Sequence, residues 1–386
     1  MKRYLKVVMI ALISLSLVAC GGSKNDSGGA SGNPVLGVNL DLTGGGAQYG
    51  EAEEAGIKLA VKLYNEKGGF KGQKVEIKIL DSKSDVEEAY KIQTQLAESG
   101  VFAIVGATIS GTSAQAVRAS GEQKVPTVSP SATTDSVTND GTTGYPFGYR
   151  VCYSDSFQAV TMANFATEKG FTKVGIIGDN SSDYAKGLAD VFVEQFEKNG
   201  GTIVFAESYA KGENDFSATI TKVKANTEVE ALFIPGYYGE IGPLLGQAYD
   251  QGVRLPVLGV DGYDSGELIN LAGTGALNNL YYSNHYSRLI SSDEHTAFVD
   301  AFKAEYNKEP AGFEALAFDA TNLVLDALER AGSTDPIKVN DAIKATKDFK
   351  GVTGTISIND LHNAEKSTYV VELKDGVEVN ATIVAP

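Results

Sequence analysis

Short apolar runs alternate with helical patterns along most of this chain, and this alternation constrains the fold more than any other feature. A first series begins with the apolar run 35–40 and includes strand-like runs at 101–105 and 125–129. The same rhythm restarts at Val174 and continues through 203–205, 232–234 and 257–260. Strands that alternate with helices pair in parallel, so two such series predict an α/β fold with two doubly wound, Rossmann-like lobes.

Two long helical patterns and three strand-like runs follow the second series, from residue 294 onward. They are too few for a third domain, so we expect them to complete the two lobes, with Asp375-Gly376 as a hairpin turn. We predict an N-lobe of residues 34–154 plus 286–351, and a C-lobe of residues 155–285 plus 352–386. Such a chain crosses between the lobes more than once, and several crossovers form a hinge that closes on a ligand.

The amino terminus has the pattern of an exported protein. Three basic residues precede an apolar run at 7–18 that is too short to span a membrane. This run ends in LVACG at 17–21, which resembles a bacterial lipobox. We therefore predict a signal peptide over 1–19, a lipid on Cys20 and a flexible, glycine-rich linker over 20–33. The folded part is expected on the extracytoplasmic face of a cell membrane, at the surface of a monoderm bacterium.

Composition and motifs argue against several classes of function. The formal net charge of −16, without a basic patch, disfavours nucleic acid as a partner. The sequence has no Gly-x-Ser-x-Gly motif and no Gly-Lys pair, which disfavours a serine hydrolase and excludes a P-loop. Its three histidines, His285, His295 and His362, are far apart and expected at the surface. We predict a protein that is not an enzyme and that uses no metal or cofactor.

Polar residues follow the predicted strands, where ligands bind in open parallel sheets. Ser110 comes after the run 101–105 and opens a helix, whose free N–H groups and hydroxyls suit a carboxylate. Ser131 and Thr133 follow the next strand, and Asp261 follows the run 257–260 without an adjacent basic residue. Each segment alone also fits a helix cap or a turn. Together they complement a zwitterion, with neutral donors for a carboxylate and an acid for an ammonium.

The order and spacing of these segments resemble the branched-chain amino acid binding proteins of ABC transporters, the LivJ-type family with the type I periplasmic-binding fold. The resemblance covers essentially the whole chain after the signal peptide. Its main motifs are LTG at 42–44 with AQYG at 47–50, NEKGGFKG at 65–72, SPSAT at 129–133, PGYY at 235–238 and GVDG at 259–262.

The resemblance also implies roles for individual residues. Ser110 and Thr133 match the hydroxyl residues that hold the ligand carboxylate, and the carbonyl of Ser131 matches one that meets the ammonium. Asp261 matches the acidic partner of the ammonium, which is often a glutamate in the family. Tyr237 matches the tyrosine beside that acid, and Asp155 matches a hinge-side acid. Tyr49, Tyr184 and Phe313 match aromatic residues that line or close the pocket for the ligand side chain.

The function implied is the capture of leucine, isoleucine or valine and their delivery to an ABC permease and its ATPase. A monomer is expected. Two positions depart from the family pattern: an aspartate replaces glutamate at 261, and Thr108-Ile109 lies where relatives vary. They leave open that the ligand is a different amino acid or a small polar metabolite. A sensory ligand-binding protein is a further alternative.

Overall fold

The computed structural model describes residues 32–290 and 292–386. The predicted signal peptide, the predicted lipidation site Cys20 and most of the predicted linker lie outside these residues. Within them, no helix combines the length and the apolar character needed to cross a membrane.

Strands and helices alternate as the sequence pattern predicts, except between β4 and β5, where no α-helix intervenes, and near the carboxyl terminus. The strands are β1 (Val35–Leu40), β2 (Glu76–Asp81), β3 (Ala103–Gly106), β4 (Thr127–Ser129), β5 (Gly148–Arg150), β6 (Lys173–Asp179), β7 (Thr202–Tyr209), β8 (Ala231–Phe233), β9 (Val257–Gly259), β10 (Leu280–Asn284), β11 (Phe349–Gly351), β12 (Gly354–Ile358), β13 (Ala364–Glu365), β14 (Thr368–Lys374) and β15 (Val377–Val384). The helices are α1 (Ala47–Glu66), α2 (Val86–Glu98), α3 (Ser110–Gln123), α4 (Asp155–Glu168), α5 (Asp183–Lys198), α6 (Ser217–Ala225), α7 (Tyr238–Asp250), α8 (Gly266–Ala272), α9 (Asp293–Tyr306), α10 (Gly312–Ala331) and α11 (Pro336–Lys344).

The first sheet has five parallel strands in the order β2-β1-β3-β4-β5. Strand β1 lies between β2 and β3, and Leu36, Val38 and Leu40 are completely buried because helices cover both faces. The strand order reverses between β1 and β3, so the loops that follow these two strands lead to opposite faces of the sheet. Such a reversal opens a crevice at the carboxyl ends of the strands, where ligands bind.

The second sheet has seven strands in the order β15-β14-β10-β9-β8-β6-β7. Strands β6 to β10 are parallel, and β14 adds antiparallel to β10. Its order reverses between β6 and β8, which places a second crevice at that edge. Two parallel sheets with helices on their faces confirm the predicted α/β class.

The segments that follow β10 divide between the two sheets. Helix α10 packs along α1 and contributes Leu316 and Leu323 to the core of the first sheet. Ile356 and Ile358 of β12 belong to that same core, although they follow residue 351, where we predicted the chain to enter the C-lobe. Strands β14 and β15 return to the second sheet, so the chain passes between the sheets three times.

The predicted hairpin turn at Asp375-Gly376 is confirmed. These two residues separate β14 from β15, and both have positive φ angles, 52° and 75°. A two-residue turn of this kind needs positive φ at both positions, which Asp-Gly tolerates well.

Candidate functional site

A small pocket lies between the carboxyl ends of the two sheets. The residues that line it are Tyr49, Thr108, Ile109, Ser110, Ser131, Thr133, Tyr184, Tyr237, Asp261, Gly262 and Phe313. Every ligand-binding residue implied by the resemblance is among them except Asp155. The structure thus brings these side chains together; their contact with a ligand stays a prediction.

The first wall of the pocket consists of Thr108, Ser110, Ser131 and Thr133, from the loops that follow β3 and β4. Ser110 is the first residue of α3, so unpaired N–H groups at the helix start face the same region. The Ser110 hydroxyl accepts a hydrogen bond from the Thr134 N–H at 3.3 Å. A hydroxyl that accepts still has its own proton to donate, which a carboxylate would take.

Arg150 at the end of β5 holds part of this wall in place. Its side chain is completely buried, and Nη1 donates to the carbonyl oxygens of Ala132, Thr133 and Thr134 at 3.2, 2.7 and 2.8 Å. The carbonyls of Ala132, Thr133 and Thr134 are therefore engaged by the guanidinium, while the Ser131 carbonyl is not. This arrangement leaves hydroxyl groups rather than the charge of Arg150 on the pocket surface.

The second wall consists of Tyr184, Tyr237 and Asp261, from the segments that follow β6, β8 and β9. Asp261 is buried, and its Oδ1 accepts hydrogen bonds from Tyr184 Oη at 2.5 Å and Gln158 Nε2 at 2.9 Å. Its Oδ2 lies 3.3 Å from His285 Nε2. Burial lowers the pKa of His285 to about 4, so this imidazole is neutral near pH 7. The groups that contact Asp261 are therefore neutral.

Asp155 lies behind the second wall rather than on it. Gln158 Nε2 donates to Asp155 Oδ1 at 2.8 Å and so joins Asp155 to Asp261, while Thr134 Oγ1 donates to Asp155 Oδ2 at 3.0 Å. Burial, together with the negative charge of Asp261, raises the pKa of Asp155 to about 7. Two coupled carboxyl groups without a contacting cation favour an ammonium ligand.

Aromatic rings complete the pocket and connect the two walls. Tyr49 stacks on Phe313 with ring centroids 4.3 Å apart, and Tyr184 stacks on Tyr237 at 4.8 Å. Tyr49 Oη donates to the Gly262 carbonyl at 2.5 Å and accepts from a backbone N–H that follows β8. Since Tyr49 is on α1 and Gly262 follows β9, this hydroxyl ties the first half of the molecule to the second.

The expectation of surface histidines is wrong for His285 and His362, which are both buried. His285 directly follows β10 and stacks on the ring of Tyr153 at 3.6 Å, beside Asp261. His362 stacks on Tyr149 at 4.4 Å, and its Nδ1 lies 3.0 Å from the Gly148 carbonyl. Strand β10 was not among the predicted strands, so nothing local marked His285 as interior.

Sequence reasoning also missed Gln158 and Glu53. Gln158 is three residues after Asp155 on α4, a spacing that puts both side chains on one face of the helix. Glu53 is four residues after Tyr49 on α1, and it is completely buried. A polar residue at helical spacing from a predicted site residue was the available signal in both cases.

Comparison with known proteins agrees with this geometry. The Leu/Ile/Val-binding protein homolog 3 of Brucella melitensis is 31% identical over 350 residues, which cover 90% of this chain and 92% of the relative. The leucine-, isoleucine-, valine-, threonine- and alanine-binding protein of Pseudomonas aeruginosa is 29% identical, with 85% of this chain and 87% of the relative covered.

Solved structures give the same result. The branched-chain amino acid transporter substrate-binding protein LivJ of Streptococcus pneumoniae, in complex with isoleucine, is 36% identical with a TM-score of 0.87. That alignment covers 92% of this chain and 100% of LivJ. The leucine-binding protein LivK of Thermotoga maritima is 34% identical with a TM-score of 0.84, and 92% of this chain and 99% of LivK are covered.

The family model of the periplasmic binding proteins matches residues 35–378. These similarities confirm the resemblance inferred from the sequence motifs. They also confirm a binding protein rather than an enzyme, since binding is what the family does. Because the match covers nearly all of the folded chain, this chain belongs to the periplasmic binding protein family.

Proposed function

We propose that this protein captures leucine, isoleucine or valine outside the cytoplasm and delivers it to an ABC permease and its ATPase. The observation that carries the proposal is the polarity of the pocket. Hydroxyl groups and a helix start form one wall, and the buried Asp261 forms the other, with stacked aromatic rings between them. This arrangement complements the carboxylate and the ammonium of an amino acid while surrounding an apolar side chain.

Each site residue receives a role in this proposal. Ser110 and Thr133 donate to the ligand carboxylate, and Asp261 pairs with the ammonium, assisted by the Ser131 carbonyl. Asp155 supports the negative charge of Asp261 from behind. The rings of Tyr49, Tyr184, Tyr237 and Phe313 enclose the side chain. The small volume of the pocket and its apolar rings favour a compact aliphatic side chain over a charged one.

Ligand capture would proceed by closure of two lobes about the three crossings of the chain. We propose an N-lobe of residues 34–154 and 286–366 and a C-lobe of residues 155–285 and 367–386. This division differs from the one predicted from sequence because Ile356 and Ile358 share the core of the first sheet. The hydrogen bond from Tyr49 to the Gly262 carbonyl would then form on closure and break on opening.

A lipid on Cys20 belongs to the same proposal. The extracytoplasmic location follows from family membership, and the lipobox-like LVACG at 17–21 supports removal of residues 1–19 and anchoring through Cys20. A linker over 20–33 would hold the binding domain near its permease. Mass spectrometry of the membrane-extracted protein should show a lipid on Cys20, and Cys20→Ser should release the protein from the membrane fraction. A Cys20→Ser protein that stays in that fraction would contradict the anchor.

Calorimetric titration of the purified monomeric protein with the common amino acids tests the specificity. Saturable binding of one leucine, isoleucine or valine per chain is the expected result. Threonine and alanine should be included because the Pseudomonas aeruginosa relative is named for binding them as well. Binding of an unrelated solute, with none of the three branched-chain amino acids bound, would contradict the proposal.

A further inference from the structure

A further carboxyl group lies behind the first wall of the pocket. Glu53 is on α1, one turn after Tyr49, and its side chain is completely buried. Thr108 Oγ1 lies 2.7 Å from Glu53 Oε2, and Ser131 Oγ is hydrogen-bonded with Glu53 Oε1. Thr108 and Ser131 belong to the two different loops that form the first wall, so one carboxyl group connects both loops.

Counting protons in this network indicates the state of the carboxyl group. Ser131 Oγ lies 2.8 Å from the Thr108 carbonyl oxygen as well as beside Glu53 Oε1. A serine hydroxyl has one proton, and a carbonyl oxygen can only accept. If Ser131 donates to the carbonyl, its contact with Glu53 needs a proton from the carboxyl group.

The Thr108 hydroxyl completes the count. Thr108 Oγ1 accepts a hydrogen bond from the Asp41 N–H at 3.2 Å, so its own proton is directed at Glu53 Oε2. A single proton on Glu53 therefore satisfies every contact of the network. An ionised Glu53 would instead leave one of the two acceptors around Ser131 without a donor, which is costly for buried groups.

The electrostatic surroundings agree with this count. The charged group that faces Glu53 is Asp41, from the loop after β1, whereas the loops after β3 and β4 present hydroxyls. Burial, with a smaller effect of the Asp41 charge, raises the pKa of Glu53 to about 8. Asp41 is held by the Ile109 N–H and the Thr112 hydroxyl, both at 2.9 Å.

We propose that Glu53 is a positioning residue that works in its neutral form, as the hydrogen-bonded link between the two loops of the first wall. The proposal rests on the proposed function in assigning this wall to the ligand carboxylate. A neutral Glu53 holds Thr108 and Ser131 in place without bringing negative charge near that carboxylate. Loss of its proton would turn the Ser131 hydroxyl away from the Thr108 carbonyl and repel the ligand.

Infrared difference spectroscopy on the ligand-free protein tests the protonation state directly. The spectrum of wild type minus that of Glu53→Gln, both at neutral pH, should show the carbonyl band of a protonated carboxylic acid. This band should disappear above about pH 9. Asp155→Asn serves as the control that separates the band of Asp155. Absence of a band assigned to Glu53 at neutral pH would overturn the proposal, whether or not the protein binds an amino acid.

Leucine titrations then test the effect on binding. Glu53→Gln keeps a donor for Ser131 and an acceptor for Thr108, so its affinity at pH 7 should stay within about threefold of wild type. From pH 7 to pH 9 wild type should lose about tenfold in affinity relative to Glu53→Gln, because only the neutral fraction binds well. The amino group of leucine titrates equally with both proteins, so the ratio isolates Glu53.

Two results would contradict the role in binding. One is a loss of more than tenfold for Glu53→Gln at pH 7 with an unchanged melting temperature, since that would mean that the ionised form is required. The other is the same alkaline loss in both proteins. If no amino acid binds to wild type, the proposed function fails, and the infrared result still decides the state of Glu53.

Discussion

The two walls of the pocket have the same structural origin but opposite chemistry. Both consist of segments that follow parallel strands at a reversal of strand order. The first wall presents hydroxyls, with the buried Arg150 binding loop carbonyls and with Glu53 neutral behind it. The second wall presents Asp261, with Asp155 behind it. The fold thus determines where a ligand would bind. The loop residues determine which charged group of the ligand each wall favours.

Replacement of Asp261 should have the largest effect. Asp261→Ala removes the group that we pair with the ligand ammonium and leaves that ammonium buried without a partner. We expect a loss of roughly 3–5 kcal/mol in leucine binding free energy, or more than a hundredfold in affinity, measured by calorimetry.

Asp261→Asn is the matched control, since it keeps the size of the side chain and removes only the charge. It should lose most of the same affinity while the protein retains its fold. An affinity within threefold of wild type for either variant would remove Asp261 from the site and end the contrast between the two walls.

The stability of the ligand-free protein should depend on the acid behind the first wall. Glu53 has a folded-state pKa of about 8, above its unfolded value, so its contribution to stability is present at acidic pH and is lost as pH rises through 8. We expect the melting temperature to fall by on the order of 5 °C between pH 6 and pH 9.

Glu53→Gln should show a clearly smaller decrease over the same range, because its amide does not titrate. Ionisation of Asp155 near pH 7 also lowers the melting temperature as pH rises. The double variant Glu53→Gln/Asp155→Asn should therefore show the smallest change in melting temperature. Identical pH profiles for wild type and Glu53→Gln would show that Glu53 titrates normally.

Ligand affinity should also depend on pH through Asp155, the acid behind the second wall. Its ionisation should raise the affinity as pH rises, whereas ionisation of Glu53 lowers it. An ammonium ligand favours the ionised form of Asp155, whose pKa in the ligand-free protein is raised to about 7. Binding therefore releases a proton below pH 7. In Glu53→Gln, where Asp155 titrates without Glu53, affinity should fall about tenfold from pH 8 to pH 6. Calorimetry at pH 6 in buffers of different ionisation enthalpy measures this proton release, and Asp155→Asn should abolish it. Proton uptake on binding at pH 6 would contradict the assignment.

Single changes in the first wall should cost less affinity than Asp261→Ala. Ser110→Ala and Thr133→Ala each remove one donor to the ligand carboxylate, while the N–H groups at the start of α3 remain. We expect each to cost about 1–2 kcal/mol in leucine binding, because the lost hydrogen bond goes to a charged group. Thr112→Ala, on the same helix but bonded to Asp41, is a control for local disturbance. A first-wall variant that costs as much as Asp261→Ala would remove the expected difference between the walls.

Much of the fold followed from local sequence patterns. Strand β1 has the limits that its apolar run at 35–40 predicts, and Asp375-Gly376 forms the expected turn. Strands β5, β10, β11 and β13 and helices α4, α8 and α11 were not among the predicted elements. The site residues implied by the motifs came together because each motif follows a strand of a parallel sheet.

Only the tertiary structure decided the charge state of the site residues and which distant segments of the chain contact one another. Glu53 contacts residues 55 and 78 positions away, and Gln158 reaches Asp261 across 103 positions. Helical spacing from Tyr49 directs Glu53 toward the site, but it does not show that Glu53 is buried beside two hydroxyls. No local pattern indicates that His285 lies against Asp261 or that β12 packs on the first sheet. Helix and strand periodicities and turn types are set by neighbouring residues, so the sequence alone determined them. Burial and charge depend on what the folded chain brings near each group, so only the tertiary structure determined those.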